Sequence, residues 1–397
     1  MEMKTVHIGD LGDIITGSTP SKKNPDNYGD YALWIKPTDI NPDEKYTTVV
    51  EEMFSEKAAH DCRTRMVPAK SVCVPCIGTV GTKLTMTPCD CFVNQSINAV
   101  VPNENYDNDY VYYLLLNFLP TLKSYNKGTA SGREYIAKSA FENIEIKVHS
   151  DINVQRQIGK ILSAYDDMID NCKKQIALLE EAAQRLYREW FVDMRFPGHE
   201  TTPIGEDGLP DGWSLNELQD IANITMGQSP SSQFYNDENI GLPFHQGVST
   251  FGDLYLEDSV YTSKWNKEAT ANSILFSVRA PVGRINLTLY RVAIGRGLAA
   301  LNHKSGFQKY LYLFLRNKFY KDDIMGNGTI YSSISKTELE TVEILNPDDE
   351  MVHKFELIVS PYLSAIEILS SKLDRLFSIK ECILPRLISG EIEITPE

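Results

Sequence analysis

Residues Asp109–Asn117 read DYVYYLLLN, and residues Lys309–Asn317 read KYLYLFLRN. Two aromatic and aliphatic blocks of one pattern, roughly two hundred residues apart, signal an internal repeat, which is weighed before any local reading. Outward from these blocks, further segments fall into the same register. Ile14-Ile15-Thr16-Gly17-Ser18-Thr19-Pro20 answers to Ile224-Thr225-Met226-Gly227-Gln228-Ser229-Pro230. Ser71, leading to Val80-Gly81, answers to Ser273 leading to Val282-Gly283. Downstream, Gly128-Thr129 matches Gly328-Thr329, and Ile136-Ala137-Lys138 matches Ile334-Ser335-Lys336. The order is kept through both halves, so the chain is a duplication.

Each copy ends in a long helical pattern. From Asp151 to Val192, apolar residues recur at helical spacing: Ile158, Ile161, Tyr165, Met168, Cys172, Ile176, Leu179, Leu186 and Trp190. From Met351 to Leu384 the series is Phe355, Val359, Tyr362, Ile366, Leu369, Leu373, Leu376 and Ile383. The repeat pairs Tyr165 with Tyr362, Ile169 with Ile366, Ile176 with Leu373 and Leu179 with Leu376. A period near 3.5 predicts a two-helix coiled-coil seam, with Trp190 at one end. A helix of about forty residues spans roughly 60 Å. Pro361 stands where the first copy has Ala164, which predicts a kink or reset near the start of the second helix. The apolar end Trp190-Phe191-Val192 exceeds what a helix pair buries and predicts a docking face for a partner.

The segments ahead of each helix hold short β-branched and aromatic runs between Gly, Pro, Asn and Asp, with short helices interspersed. The expected fold is α/β (α+β): two duplicated α/β domains separated by two long antiparallel coiled-coil helices, pseudo-two-fold symmetric. Residues 1–150 form the first domain, 151–196 the first spacer helix, 197–212 a turn-rich linker, 213–346 the second domain and 347–392 the second spacer helix.

Composition sets outer bounds. At 397 residues the chain exceeds one ordinary core. No apolar run is long enough to span a membrane, and Met1-Glu2-Met3-Lys4 lacks the apolar core of a secretory signal. An odd count of 7 cysteines argues against a disulfide framework and for a reducing cytoplasm. With 39 basic against 54 acidic residues, the net charge is −15, which by itself disfavours a nucleic-acid binder. The distribution counters the sum. Between Glu268 and Asp322 there is no acidic residue, while Arg279, Arg284, Arg291, Arg296, Lys304, Lys309, Arg316, Lys318 and Lys321 all fall there. This is a basic patch, or a surface whose acids come from elsewhere in the fold.

Catalytic signatures are missing. The sequence holds no G-x-x-x-x-G-K-[ST] loop, no G-x-G-x-x-G turn and no G-x-S-x-G elbow. Asn41-Pro42-Asp43 and Asn346-Pro347-Asp348 lack the second proline of an amino-methyltransferase motif, and Pro42-Asp43-Glu44-Lys45 does not supply carboxylates from separate strands. Cys73, Cys76, Cys89 and Cys91 have zinc-like spacing, but the equivalents of Cys73 and Cys76 are Leu275 and Val278. Strand-core packing accounts better for these thiols. The chain reads as non-catalytic, with no metal site.

Further strings sharpen the picture: LYREWFVDMRFPG at Leu186–Gly198, LPDGW at Leu209–Trp213, LPRLISGEI at Leu384–Ile392, WIKPTDI at Trp34–Ile40, and Gly17-Ser18-Thr19-Pro20. With the repeat–helix–repeat–helix order, they make the chain resemble the DNA-specificity (S) subunit of type I restriction-modification systems over essentially its whole length. The first copy departs by lacking PDGW. The resemblance implies two target-recognition domains, each reading half of a split sequence in double-stranded DNA. It implies helices that space the halves and dock two methyltransferase subunits, with two restriction/translocase subunits joining the complex. It places S-adenosylmethionine, ATP and Mg in those partners and no cofactor in this chain. A pseudo-two-fold pair would address half-sites about one turn, roughly 34 Å, apart.

Candidate DNA contacts are Arg279, Arg284 and Arg296 in the basic stretch, and Lys83 and Arg133 in the first domain. Lys138 and Lys336 recur at equivalent positions as phosphate anchors, the alternative being the solvated face of a short helix. Ser131, Ser332 and Ser333 follow the matched Gly-Thr turns and are candidate donors. Two rivals stand beside this reading: a fused restriction–methylation enzyme, and a coiled-coil scaffold that reads no DNA.

Overall fold

The computed structural model describes residues 2–126, 134–252, 254–319 and 333–394. The chain folds as two compact units. One comprises Met1–Asn171 with Asp374–Glu397, the other Cys172–Leu373. Both boundaries fall inside long helices, Ile152–Phe191 and Asp349–Ile388, each of 40 residues. Each unit therefore holds one domain, half of one helix and half of the other.

In the first unit, Met3–His7 pairs antiparallel with Glu145–His149 and closes the domain on itself. An antiparallel sheet follows the order Gly12–Thr16, Ile97–Pro102, Val72–Pro75, Thr85–Met86. A mixed sheet runs Tyr28–Gly29, Met53–Phe54, Ala32–Ile35, Phe92–Val93, the last pair parallel. The second unit repeats the plan. Ser214–Glu217 pairs with Glu343–Asn346, and its antiparallel sheet runs Ala222–Met226, Leu298–His303, Ile274–Ser277, Ile285–Leu287. In its mixed sheet, Leu242–His245 lies parallel to Val292–Ile294. Strand order and pairing sense agree through both domains, the second mixed sheet adding Glu268–Ala269 antiparallel beside Val292–Ile294, so the duplication read from the sequence holds in three dimensions.

The block DYVYYLLLN belongs to helix Asn108–Leu122, capped by Asp107, whose side chain accepts from Tyr110 N at 3.0 Å. Tyr110, Val111, Tyr112, Tyr113, Leu114 and Leu115 are all buried, because the sheet lies on one side and the long helix on the other. Val154, Ile158 and Leu162 of that helix join the same core, together with Leu387 and Ile388. Each such aliphatic side chain contributes roughly 1.5–3 kcal/mol when removed from water. Gly159 permits the close crossing, since a Cβ there would lie 2.8 Å from Asp107 Oδ1. In the second unit, Phe191 meets Tyr310 and Phe355 at ring-centroid distances of 4.9 Å each, and Trp190 meets Phe355 at 5.6 Å.

Within each unit the two helix halves run antiparallel. Lys380 is paired with Asp166 in the first, and Tyr187 and Trp190 approach Phe355 in the second. Of the seam residues, Ile169, Ile176, Trp190, Ile366, Leu373 and Leu376 are buried, whereas Tyr165, Leu179 and Tyr362 are half-buried. Ile161 and Met168 are exposed, and Leu162 and Ile169 take the inner positions instead. Trp190 and Phe191 are buried against their own domain, beside Trp213 and Tyr310, so of the expected docking end only Val192 is free of the core. Pro361 does not end the second helix. Having no amide, Pro361 leaves the Leu357 carbonyl without its helical donor, and Leu357 lies on the exposed side of the helix. No helix among the described residues is long and apolar enough to cross a membrane.

Candidate nucleic-acid interface

In each domain, three loops at one end of the sheets are drawn together by backbone hydrogen bonds. In the first, Gly17 N donates to Ile97 O at 3.3 Å, Ser18 N to Val93 O at 3.0 Å and Asn94 N to Ile35 O at 3.0 Å. In the second, Gly227 N donates to Leu298 O at 2.9 Å, Gln228 N to Ile294 O at 3.0 Å and Gly295 N to His245 O at 2.8 Å. The two sets correspond position for position. A Cβ on Gly17 would stand 2.0 Å from Val93 O, and one on Gly227 2.1 Å from Gly295 O. Only glycine allows so close a backbone approach.

This common frame carries different side chains. Ser18 corresponds to Gln228, Lys36 to Gln246, and Gln95 to Arg296. Gln95, Gln228, Gln246 and Arg296 are exposed. The loop bearing Arg296 is pinned by its own amide, which donates to Ser229 Oγ at 3.2 Å. Along the adjoining edge, Val278 N donates to Gly297 O and accepts from Ile334 N at its carbonyl, both at 2.9 Å. Arg279 and Ser333 face each other across this ladder, so Arg279, Arg296 and Ser333 border one rim. The first domain builds the same edge from Cys76, Ser96 and Ile136, bringing Ile77, Tyr135 and Gln95 to the matching places. Glutamine offers a donor and an acceptor and arginine a fork of donors, the two groups suited to reading base edges.

The rims differ in charge. Lys36 is bonded to Glu51 at 2.6 Å and Glu52 at 2.9 Å. Burial would lower its pKa, but the two carboxylates outweigh it and raise it, while Lys36 holds Glu52 below the usual carboxylate range. Behind Gln246, the buried His245 bonds Thr250 Oγ1 at 2.8 Å and Asp258 Oδ1 at 3.0 Å, and Tyr290 also donates to Asp258. Burial lowers the His245 pKa against the opposing pull of Asp258, so the ring is neutral and ties the strand end to its following loop.

Other expected contacts lie differently. Lys83 Nζ donates to Ile40 O at 3.1 Å, which tethers it inside its own domain. Arg284 is half-buried, and its backbone closes a turn with Ser277. Lys138 and Lys336 open matching short helices and pair with Glu142 at 3.5 Å and Glu340 at 3.2 Å, as on a solvated helix face. Ser131, Arg133 and Ser332 lie outside the described residues. The acid-free stretch is not an acid-free surface: Arg291 pairs with Glu268 at 2.7 Å, and Arg316 forks onto Glu180. Cys73 and Cys91 sit in one apolar cluster, and burial raises their thiols and that of Cys76, to about 12 for Cys76 and Cys91. Cys76 belongs to a different apolar cluster and Cys89 is exposed, so the four thiols are divided between separate surroundings. The readings from sequence missed Gln95, Gln228 and Gln246. For Gln228 the signal lay in the repeat, where the matched Gly17 and Gly227 precede unlike polar residues, Ser18 and Gln228.

A family model described as type I restriction modification DNA specificity domain matches residues 1–181 and 210–376. The type I restriction enzyme MjaIX specificity subunit of Methanocaldococcus jannaschii is 25% identical over 405 residues, covering 98% of this chain and 93% of its own. A second relative from that organism, designated MjaX, is 31% identical over 301 residues, covering 74% of this chain and 70% of its own. In fold, the crystal structure of the type I restriction-modification system S subunit from M. genitalium matches with a TM-score of 0.61 at 16% identity, over 99% of this chain and 97% of that one. The family model falls once on each repeat and covers most of the chain: this protein belongs to the type I restriction-modification DNA specificity family.

Proposed function

We propose that the chain is the sequence-reading, non-catalytic subunit of a type I restriction-modification complex, with each domain recognising one half of a bipartite, asymmetric DNA target. The observation that carries this reading is the duplicated rim. One backbone frame occurs twice, yet presents Ser18, Lys36 and Gln95 in one copy and Gln228, Gln246 and Arg296 in the other. A duplicated frame with unlike polar edges suits two unlike half-sites. Positioning on phosphates then falls to neighbouring cations such as Arg279 and to partner subunits, which accommodates the net charge of −15.

The long helices support the docking half of the proposal. In the second unit, Leu178, Leu357 and Ile368 are 65%, 62% and 70% exposed, and in the first unit Ile379 is 43% exposed. Apolar side chains displayed along a helix are the chemistry of a subunit interface. Two methyltransferase subunits, and restriction/translocase subunits joined to them, supply adenine methylation from S-adenosylmethionine and ATP- and Mg-dependent cleavage.

Mapping modified adenines genome-wide with and without this gene tests the reading. One split motif vanishing with the gene supports it. Methylation by the purified chain plus S-adenosylmethionine alone would establish the fused-enzyme rival instead, and a complex with no salt-dependent duplex binding would leave the scaffold rival.

A further inference from the structure

The second domain carries, beside its rim, a cleft of about 410 Å³ walled by Pro230, Phe234, Lys264 and Trp265. The chain has 4 tryptophans. Trp34, Trp190 and Trp213 are 1%, 5% and 6% exposed, whereas Trp265 is 37% exposed. Its indole is nevertheless fixed: Nε1 donates to Glu268 Oε2 at 2.8 Å, and the same carboxylate is held by Arg291 at 2.7 Å. Across the cleft, Lys264 Nζ stands 4.8 Å from the centroid of the Phe234 ring. Exposed Lys267 lies on the same loop, and Arg291 offsets the Glu268 carboxylate.

The cleft is coupled to the rim by backbone. Lys267 O accepts from Ile294 N at 3.1 Å, Ile294 O accepts from Gln228 N at 3.0 Å, and Ser229 Oγ accepts from Arg296 N at 3.2 Å. The first domain starts the same way, with Ser55 N on Asn27 O matching Ser263 N on Phe234 O. It then runs into helix Glu56–Asp61, where the second domain has the exposed Lys264-Trp265-Asn266-Lys267 loop. A rigid, solvent-facing indole with a lysine at its side, on the flank of a base-reading rim, is a stacking platform beside a phosphate contact.

We propose that this cleft is a subsite for one unpaired nucleobase of the bound DNA, stacked on Trp265, with Lys264 on the adjoining phosphate. The proposal rests on the DNA-reading function given above. It makes the second domain a holder of locally opened DNA next to its half-site.

The test uses the full chain in complex with its methyltransferase, and measures binding of a labelled single-stranded oligo(dT) and, separately, of duplex DNA carrying the methylated motif. Trp265→Ala is expected to weaken oligo(dT) binding at least about fivefold, with Trp265→Phe retaining most of it. Lys264→Ala is expected to flatten the salt dependence. An unchanged oligo(dT) affinity in Trp265→Ala overturns the proposal. So does an abasic strand that binds the wild-type complex as well as oligo(dT) does, because charge alone then suffices. If Trp265→Ala instead loosens the methyltransferase with oligo(dT) binding intact, the cleft holds protein and the proposal fails. A wild-type complex that takes oligo(dT) but shows no preference for the motif duplex refutes the DNA-reading function and leaves the stacking result standing.

Discussion

Arg316 forks onto Glu180, its two terminal nitrogens each 2.8 Å from a different carboxylate oxygen, with Tyr312 OH a third partner at 2.9 Å. Burial would lower the guanidinium pKa, but Glu180 and Tyr312 outweigh it and keep it fully charged. The side chains are 20% and 21% exposed, so the pair ties the second domain to the long helix with little water between. Arg316→Ala should destabilise the second unit by about 1–4 kcal/mol, because it strands a partly buried carboxylate. Calorimetry checks this, and a change below about 0.5 kcal/mol, typical of surface positions, would contradict it.

Arg296 behaves oppositely. It is exposed, and only its amide is bonded to the rim. Arg296→Ala should leave the melting temperature almost unchanged and cost the assembled complex roughly 1–3 kcal/mol in target binding, the value of a bidentate base contact. The loss should fall on one half-site. Equal loss across all duplex sequences would mark Arg296 as a phosphate contact.

His245 gives the second unit an acid sensitivity of known sign. Burial lowers its pKa below the ordinary 6.5, so the unfolded chain binds the proton first. The contribution is fully present above pH 6.5 and is lost as pH falls through that value toward the folded one. His303 is also lowered by burial, against the opposing pull of Asp349, and adds a slope of the same sign. Between pH 7 and 5, thermal stability of the second unit should fall more steeply in the wild type than in His245→Gln. Parallel pH profiles would clear His245.

Recognition should be modular. The two units have separate cores, so exchanging about Thr201 to Leu345 for the same segment of a relative should change one half of the methylated motif and preserve the other. A swap that altered both halves would refute independent reading.

The duplication and the long helices were legible in the sequence because both are written as periodicity: DYVYYLLLN recurs as KYLYLFLRN, and Ile169, Ile176, Ile366 and Leu373 recur at helical spacing. The rim was legible only in part. Its glycines stand out in the sequence, but which carbonyls they face is decided by pairing with residues far along the chain, as Gly17 with Ile97. Arg316 was misplaced among surface cations for the same reason, its partner lying 136 residues away on another element. Pro361 costs the Leu357 carbonyl its helical donor, yet the helix runs on through it from Asp349 to Ile388.

The unit that contains the first domain is assembled from two separate stretches, Met1–Asn171 and Asp374–Glu397, while the other unit is one unbroken stretch. On a ribosome this inverts the order of completion. The domain made first waits for Leu387 and Ile388, which enter its core only after the second domain has been made. The domain made second has all its parts once Leu373 has emerged. A premature stop just after that point would therefore damage the domain encoded earlier in the gene.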